Sequence, residues 1–126
     1  MILQTIFDEQ GNTVPFLNGK EITMKESPFL LFLASIGMCS AVYVRSFLAQ
    51  RGIPFNDVVI NQKMDYDQSA GMVKSVEIQL DLPSQFPEKY KGAIKKVVDQ
   101  CLVKRHLVDA PELYVTTNIK VDQEIN

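Results

Sequence analysis

Ser27-Pro28-Phe29-Leu30-Leu31-Phe32-Leu33-Ala34-Ser35-Ile36-Gly37-Met38-Cys39-Ser40-Ala41-Val42-Tyr43-Val44 contains no charged side chain. Ser27 is a good N-cap, because its hydroxyl can accept from a free backbone amide, and Pro28 suits the first helical position. Gly52-Ile53-Pro54 is a good stop. The run therefore predicts a helix from Pro28 to about Arg51 that is apolar on nearly all sides. A membrane span needs roughly 20 apolar residues, and this run falls short and carries Ser35, Gly37 and Ser40. No other segment favours insertion, so the expectation is a core helix and no membrane. Such a helix has to be surrounded by protein. A thin sheet covers one side of it, and the remaining apolar surface calls for a second subunit, hence a dimer.

Outward from that helix the periodicity changes. Leu3, Ile6 and Phe7 lead into a turn at Gly11-Asn12, and Thr13 to Leu17 runs into Asn18-Gly19, a strong hairpin signal. Ile22 to Met24 is a further short strand candidate. After Pro54 the period is two: Val58, Ile60, Gln62, Met64 and Tyr66 share one face, opposite Val59, Asn61, Lys63, Asp65 and Asp67. A turn at residues 68–71 precedes Val76, Ile78, Leu80 and Leu82, which alternate with Glu77, Gln79 and Asp81. This pattern predicts an antiparallel hairpin with one wet face. From Glu88, Tyr90, Ala93, Ile94, Val97, Val98, Cys101 and Leu102 recur at helical spacing, with Lys91, Lys95, Lys96 and Asp99 on the other side. Lys104-Arg105-His106 follows as a basic cluster. Beyond Pro111, Leu113, Val115, Thr117, Ile119 and Val121 alternate as a last strand. The order describes an α+β fold: an antiparallel sheet, a long central buried helix and a second amphipathic helix.

At 126 residues, with 46% hydrophobic and 22% charged residues, the chain reads as a single domain spanning 1–126. A chain of that size buries enough surface to fold without staples. The formal net charge of −2 lacks the basic surplus of a nucleic-acid binder, so no nucleic-acid partner is expected. Two cysteines without CxxC spacing and one histidine assemble no zinc motif, so neither a metal nor a cofactor is expected. The start meets Asp8 with no basic n-region and does not read as a signal peptide. A cytoplasmic location is the expectation, where paired thiols are redox-active or simply buried.

Cys39 sits in the middle of the apolar helix and Cys101 on the inner stripe of the amphipathic one. If both helices pack on one core, the thiols can meet. Buried cysteine also behaves as a small hydrophobe, so this placement alone does not make them functional. Cys39 lies roughly 18 Å beyond the Ser27 cap, out of reach of the helix N-terminal field, which fades within about a turn. Cys101 is expected near a helix C-terminus, where the dipole disfavours a thiolate. Activation therefore falls to side chains. Arg45 is nearest to Cys39 but off its face. Lys104, Arg105 and His106 are nearest to Cys101, and each also suits a solvated surface. His106 has no Ser or Asp constellation that would make it a general base.

The stretch Ser27 to Ser40, the helix end Leu48-Ala49-Gln50-Arg51-Gly52-Ile53-Pro54, and the second cysteine in Val98-Asp99-Gln100-Cys101-Leu102-Val103 resemble the OsmC/Ohr family of osmotically inducible and organic-hydroperoxide-resistance proteins. The likeness spans about Ser27 to Val121. It implies an intertwined homodimer with its sites at the subunit interface. In the peroxidase members the first cysteine attacks an organic hydroperoxide and becomes a sulfenic acid, the second resolves it as a disulfide, and a cellular dithiol reduces the enzyme. The resemblance thus gives attack to Cys39 and resolution to Cys101, with a small hydroperoxide as substrate. Three positions depart from the pattern. Phe29 stands where the peroxidases carry a glutamate, no arginine precedes Arg45, and Leu102 replaces a proline. Glu26 is the one acid placed to substitute. Two other readings fit the same residues: a non-catalytic protein holding a small hydrophobic ligand between subunits, and a family member whose cysteines only fill the core.

Overall fold

The computed structural model describes residues 2–121. In chain order these form β1 (Ile2–Phe7), β2 (Thr13–Leu17), β3 (Lys20–Glu21), α1 (Pro28–Gln50), β4 (Val59–Asp67), β5 (Met72–Asp81), a single 3-10 turn at Glu88–Tyr90, α2 (Lys91–Asp99) and α3 (Leu102–Val108). The five strands make one antiparallel sheet in the order β3-β2-β1-β4-β5. Asn18 (φ 52°) and Gly19 (φ 80°) both take positive φ, the backbone that lets a two-residue hairpin follow the strand twist. The short strand after this turn is Lys20–Glu21, earlier than the expected Ile22 to Met24. Ile22 is instead buried, with its amide donating to the Pro15 carbonyl at 2.9 Å.

The central helix forms as its ends dictate. The Ser27 side chain accepts from the Leu30 amide at 3.2 Å, with Pro28 in the first turn. At the other end Arg51 is the C-cap, and Gly52 follows at φ 67°, a conformation glycine adopts without a Cβ penalty. The helix crosses the face of the sheet that carries Leu3, Thr5, Ile60, Gln62 and Met64. Two apolar clusters result. Towards its start, Leu33, Ala34 and Ile36 pack with Leu3, Ile22 and Met64. Towards its end, Ala41, Val44, Phe47 and Leu48 pack with Phe7, Val58, Ile60, Ile94 and Val98. The helix is long and apolar enough to cross a bilayer, yet here it is the core helix of the sheet. Its opposite flank is bare: Phe29, Phe32 and Val42 are each at least 40% exposed.

Three expectations are corrected. The alternation of β4 holds through Met64 but not at Tyr66, which is 48% exposed, because the β4–β5 register shifts between Asp65 and Tyr66. The amphipathic helix expected from Glu88 to Leu102 breaks into the 3-10 turn, α2 and α3, and the basic cluster Lys104-Arg105-His106 lies inside α3. The strand expected over Leu113 to Val121 pairs with nothing among the described residues: Leu113 is 87% and Ile119 96% exposed. Its alternation is that of a strand, but a strand exists only where a neighbour takes its backbone groups.

Gly37 marks the closest approach of α1 to the sheet. A Cβ there would lie 2.7 Å from Gln62 Oε1 and 2.9 Å from Thr5 Oγ1. Both oxygens are buried and have no hydrogen-bond partner among the described residues, while Gln62 Nε2 is held by the Leu33 carbonyl at 2.9 Å. Alanine in place of a helical glycine normally gains up to about 1 kcal/mol. Here overpacking against an anchored amide costs about 1–3 kcal/mol, so the clash wins. Gly37→Ala is expected to lower the urea midpoint, and a raised midpoint would show that the sheet yields to the methyl group.

Candidate thiol site

Cys39 lies on α1 where the covered flank meets the bare one, and it is half-buried. The residues one and two turns before it on the same side, Ser35 and Phe32, face the same edge. Cys101 comes from the opposite wall. The chain breaks between α2 and α3 at Gln100 and Cys101, and this break carries the Cys101 side chain into the core, where it is 1% exposed. The two thiols are neighbours there, and the Cys39 thiol influences Cys101. Both are reduced.

This position corrects the expectation for Cys101. It is not within the last turn of an amphipathic helix but two residues past the end of α2, where it N-caps α3. Its sulfur accepts from the Lys104 amide at 3.4 Å. The sequence signal was available: Leu102 to Val108 continues at helical spacing, but no Ser, Asp or Asn announces the cap. A cysteine in that role is hard to foresee because sulfur is a weak acceptor. The dipole argument therefore loses its force, since the sulfur lies between one helix end and the start of another.

Burial is the largest influence on Cys101 and pushes its thiol up from the ordinary cysteine value. The Lys104 amide pulls it down, the Cys39 thiol beside it pushes it up further, and the Ser40 hydroxyl pulls it down. Ser40 follows Cys39 on α1, is buried, and donates to the Ile36 carbonyl at 3.0 Å.

The cations singled out in the sequence are engaged elsewhere. Arg45 donates to the Gly11 carbonyl in the β1–β2 turn, which holds its guanidinium at the far end of α1. Lys104 pairs with Asp99 at 2.5 Å on the surface. His106 Nδ1 lies 2.8 Å from the Leu102 carbonyl; since a carbonyl only accepts, that nitrogen carries the proton. Arg51, not singled out as a candidate, stacks 3.5 Å above the Phe47 ring. Arg105 is exposed. Glu26, the acid placed to substitute for the absent glutamate, forms no ion pair among the described residues. Nor does any group of three His, Cys, Asp or Glu side chains among them form a metal site.

Two of the hollows beside α3 have mostly apolar walls. A groove of about 410 Å³ runs between α1 and α3, lined by Phe32, Ser35, Leu102, Val103, His106 and Leu107. Neither cysteine is among its lining residues, and its far wall begins at the residue after Cys101. A larger cleft of about 620 Å³ lies on the other side of α3, over the inner face of β5. Ile36, Val76, Ile78, Leu80, Ile94 and Val98 form its apolar walls, and Lys91, Lys95 and Lys104 stand among its lining residues. Apolar hollows bordered by the elements that carry the thiols suit an apolar substrate whose one reactive group must reach sulfur.

The chain is similar to a crystal structure from Psychrobacter arcticus, described as an osmotic stress induced and detoxification response protein, with a TM-score of 0.56 and 13% identity, over 82% of this chain and 78% of that one. At that identity the likeness speaks for the fold. No curated protein matches the chain. The family model described as OsmC-like protein matches residues 20–116, from β3 through α3 and into the segment beyond it. The chain belongs to the OsmC-like family.

Proposed function

We propose that the protein is a cytoplasmic, thiol-dependent stress-response enzyme that reduces organic hydroperoxides. The observation that carries this reading is the half-buried Cys39 thiol beside the buried Cys101, on the two elements between which an apolar groove runs. In the first step the Cys39 thiolate attacks the outer oxygen of ROOH. The O–O bond breaks, the electron pair leaves with RO⁻, which takes a proton to become ROH, and sulfur becomes a sulfenic acid. In the second step the Cys101 sulfur forms a bond to Cys39 Sγ, and the sulfenic oxygen departs as water. A dithiol then returns the pair to thiols.

The same reading makes the protein a homodimer. In one chain Phe29, Phe32 and Val42 face solvent along α1, and the alternating segment from Leu113 to Val121 has no partner among the described residues. An exposed apolar surface of this kind marks an interface. A second copy of the chain supplies both an apolar flank for α1 and a sheet edge for the segment.

The larger cleft favours one second reading. Its apolar walls and lysines would hold an apolar molecule with an anionic end, as in a protein that binds without turnover. Thiol titration separates the two. An enzyme loses two thiols per chain on exposure to cumene hydroperoxide and recovers them with a dithiol. A binding protein loses none and is stabilised by the ligand.

Oxidation is expected to be slow for a dedicated peroxidase, because none of the candidate cations is directed to the thiols. In stopped-flow experiments Cys39→Ser should be inert to cumene hydroperoxide. Cys101→Ser should still form a sulfenic acid that dimedone traps. The reverse pattern would exchange the two roles. In sedimentation at micromolar concentration the protein should run as a dimer, and a chain ending at Ala110 should shift towards monomer. A well-folded monomer of the full chain would defeat the dimer.

A further inference from the structure

The charges of this chain are not mixed evenly. Residues 88–109, which hold the 3-10 turn, α2 and α3, carry six Lys and Arg against three Asp and Glu. The remaining residues carry seven against twelve, so a chain of net charge −2 has a basic region and an acidic remainder. Folding keeps the two apart on β5. Val76, Ile78 and Leu80 face the cleft that Ile94 and Val98 of α2 also line. Asp65, Glu77 and Asp81 alternate with the inward residues of β4 and β5 and are exposed on the outer face of the sheet.

The cations of α2 and α3 converge on one surface. The cleft of about 620 Å³ has Lys91, Lys95 and Lys104 among its lining residues. A neighbouring hollow of about 430 Å³ is lined in part by Lys104, Arg105 and His106. The two hollows share Asp99, Lys104 and Val108, so they are parts of one surface. Lys96 borders a third hollow, which also reaches Asp99. Asp99 pairs with Lys104 at 2.5 Å, and its carboxyl is held below the ordinary value by that bond first and also by the charges of Lys104 and Lys95. Among the described residues Lys95, Lys96 and Arg105 pair with no acid. Apolar side chains stand among these cations. Leu107 is 48% and Val108 79% exposed, and α3 buries none of its residues.

We propose that this face of α2 and α3 docks on a bilayer surface rich in anionic lipid, with the cations over the headgroups and Leu107 and Val108 dipping between them. The docking is peripheral and does not call on α1 to cross the bilayer. The composition of the patch selects a lipid surface over an acidic protein. Lysine outnumbers arginine five to one between residues 88 and 109. An ammonium is a hydrated point charge on a flexible stem, with no fork geometry to satisfy, and protein interfaces are depleted in lysine. A fluid layer of anionic headgroups sets no geometry and attracts each charge separately. The exposed apolar side chains add the second signal that peripheral binding needs beside charge. The acids on the outer face of the sheet point away from such a surface, and salt screens them within about 10 Å. Docking would hold the protein where apolar peroxides collect, but it rests on the patch and not on the thiol chemistry.

Co-sedimentation with lipid vesicles tests the proposal, and none of its readouts involves a thiol. The protein should bind mixed phosphatidylcholine–phosphatidylglycerol vesicles at low salt, fail to bind phosphatidylcholine alone, and be largely released by added salt. Lys95→Gln/Lys96→Gln should bind about 25-fold more weakly, at roughly fivefold for each lysine near an anionic surface. Lys20→Gln/Lys63→Gln removes the same charge from β3 and from the outer face of β4, and should bind as the unaltered protein does. The chain has no tryptophan, so Val108→Trp and Gln79→Trp report which face meets the lipid. Emission from the first should shift to the blue on mixed vesicles, and emission from the second, on the outer face of β5, should not. Absence of binding to mixed vesicles would overturn the proposal, and retention on immobilised polyglutamate in that case would assign the face to an acidic protein. Equal binding to phosphatidylcholine alone, equal weakening by the two double substitutions, or a blue shift confined to Gln79→Trp would each overturn it as well.

Discussion

The enclosure of α1 is the constraint on which the rest of the structure depends. A helix uncharged from Pro28 to Val44 loses too much by standing in water, and it has to be walled in. The sheet walls in one flank through two clusters, one around Leu3 and Met64 and one around Phe7, Val58 and Ile60. α2 adds a second wall with Ile94 and Val98. These walls fix where the helix can come close and where it cannot. At Gly37 it comes close enough that two buried side-chain oxygens occupy the space of a missing Cβ. Along Phe29, Phe32 and Val42 no wall is present among the described residues.

The candidate site is a consequence of that partial enclosure. Cys39 falls at the boundary of the walled and bare flanks, which makes it reachable without being free in solvent. Cys101 reaches it only because α2 stops at Asp99, and the chain turns inward before α3 begins. The turn costs the backbone its helical bonds, and the Cys101 sulfur replaces one of them by capping the Lys104 amide. A single residue thus ends one element, starts another and presents a thiol to the core. The same geometry keeps the charged residues outside. Asp99 and Lys104 pair with each other at the surface, and Arg45 is occupied by the Gly11 carbonyl. The thiols meet in apolar surroundings relieved by the Lys104 amide.

Much of this architecture was legible from residue order. The uncharged run with its Ser-Pro start and Gly-Ile-Pro end located α1, because capping and hydropathy are local properties. The Asn-Gly pair located the first hairpin, and the alternation from Val58 to Met64 located the core face of β4. Local reading failed where a distant contact decides the outcome. The β4–β5 register shift at Tyr66 depends on the partner strand, not on β4 itself. The break at Cys101 cuts an apolar period that reads as continuous, because the chain there follows the surface of α1 rather than its own helical preference.

The family resemblance and the identity of the two cysteines followed from the sequence alone, since they rest on residue types and their spacing along the chain. Their approach to one another, the donors around Cys101, and the disengagement of Arg45 and Lys104 were decided by tertiary structure. A side chain's charge is fixed by its chemistry, but its effect depends on the distance and burial that only packing sets. The segment from Leu113 to Val121 shows the same division most plainly. Its alternation marks it as strand-forming, yet whether it becomes a strand depends on a neighbouring edge that its own residues cannot provide.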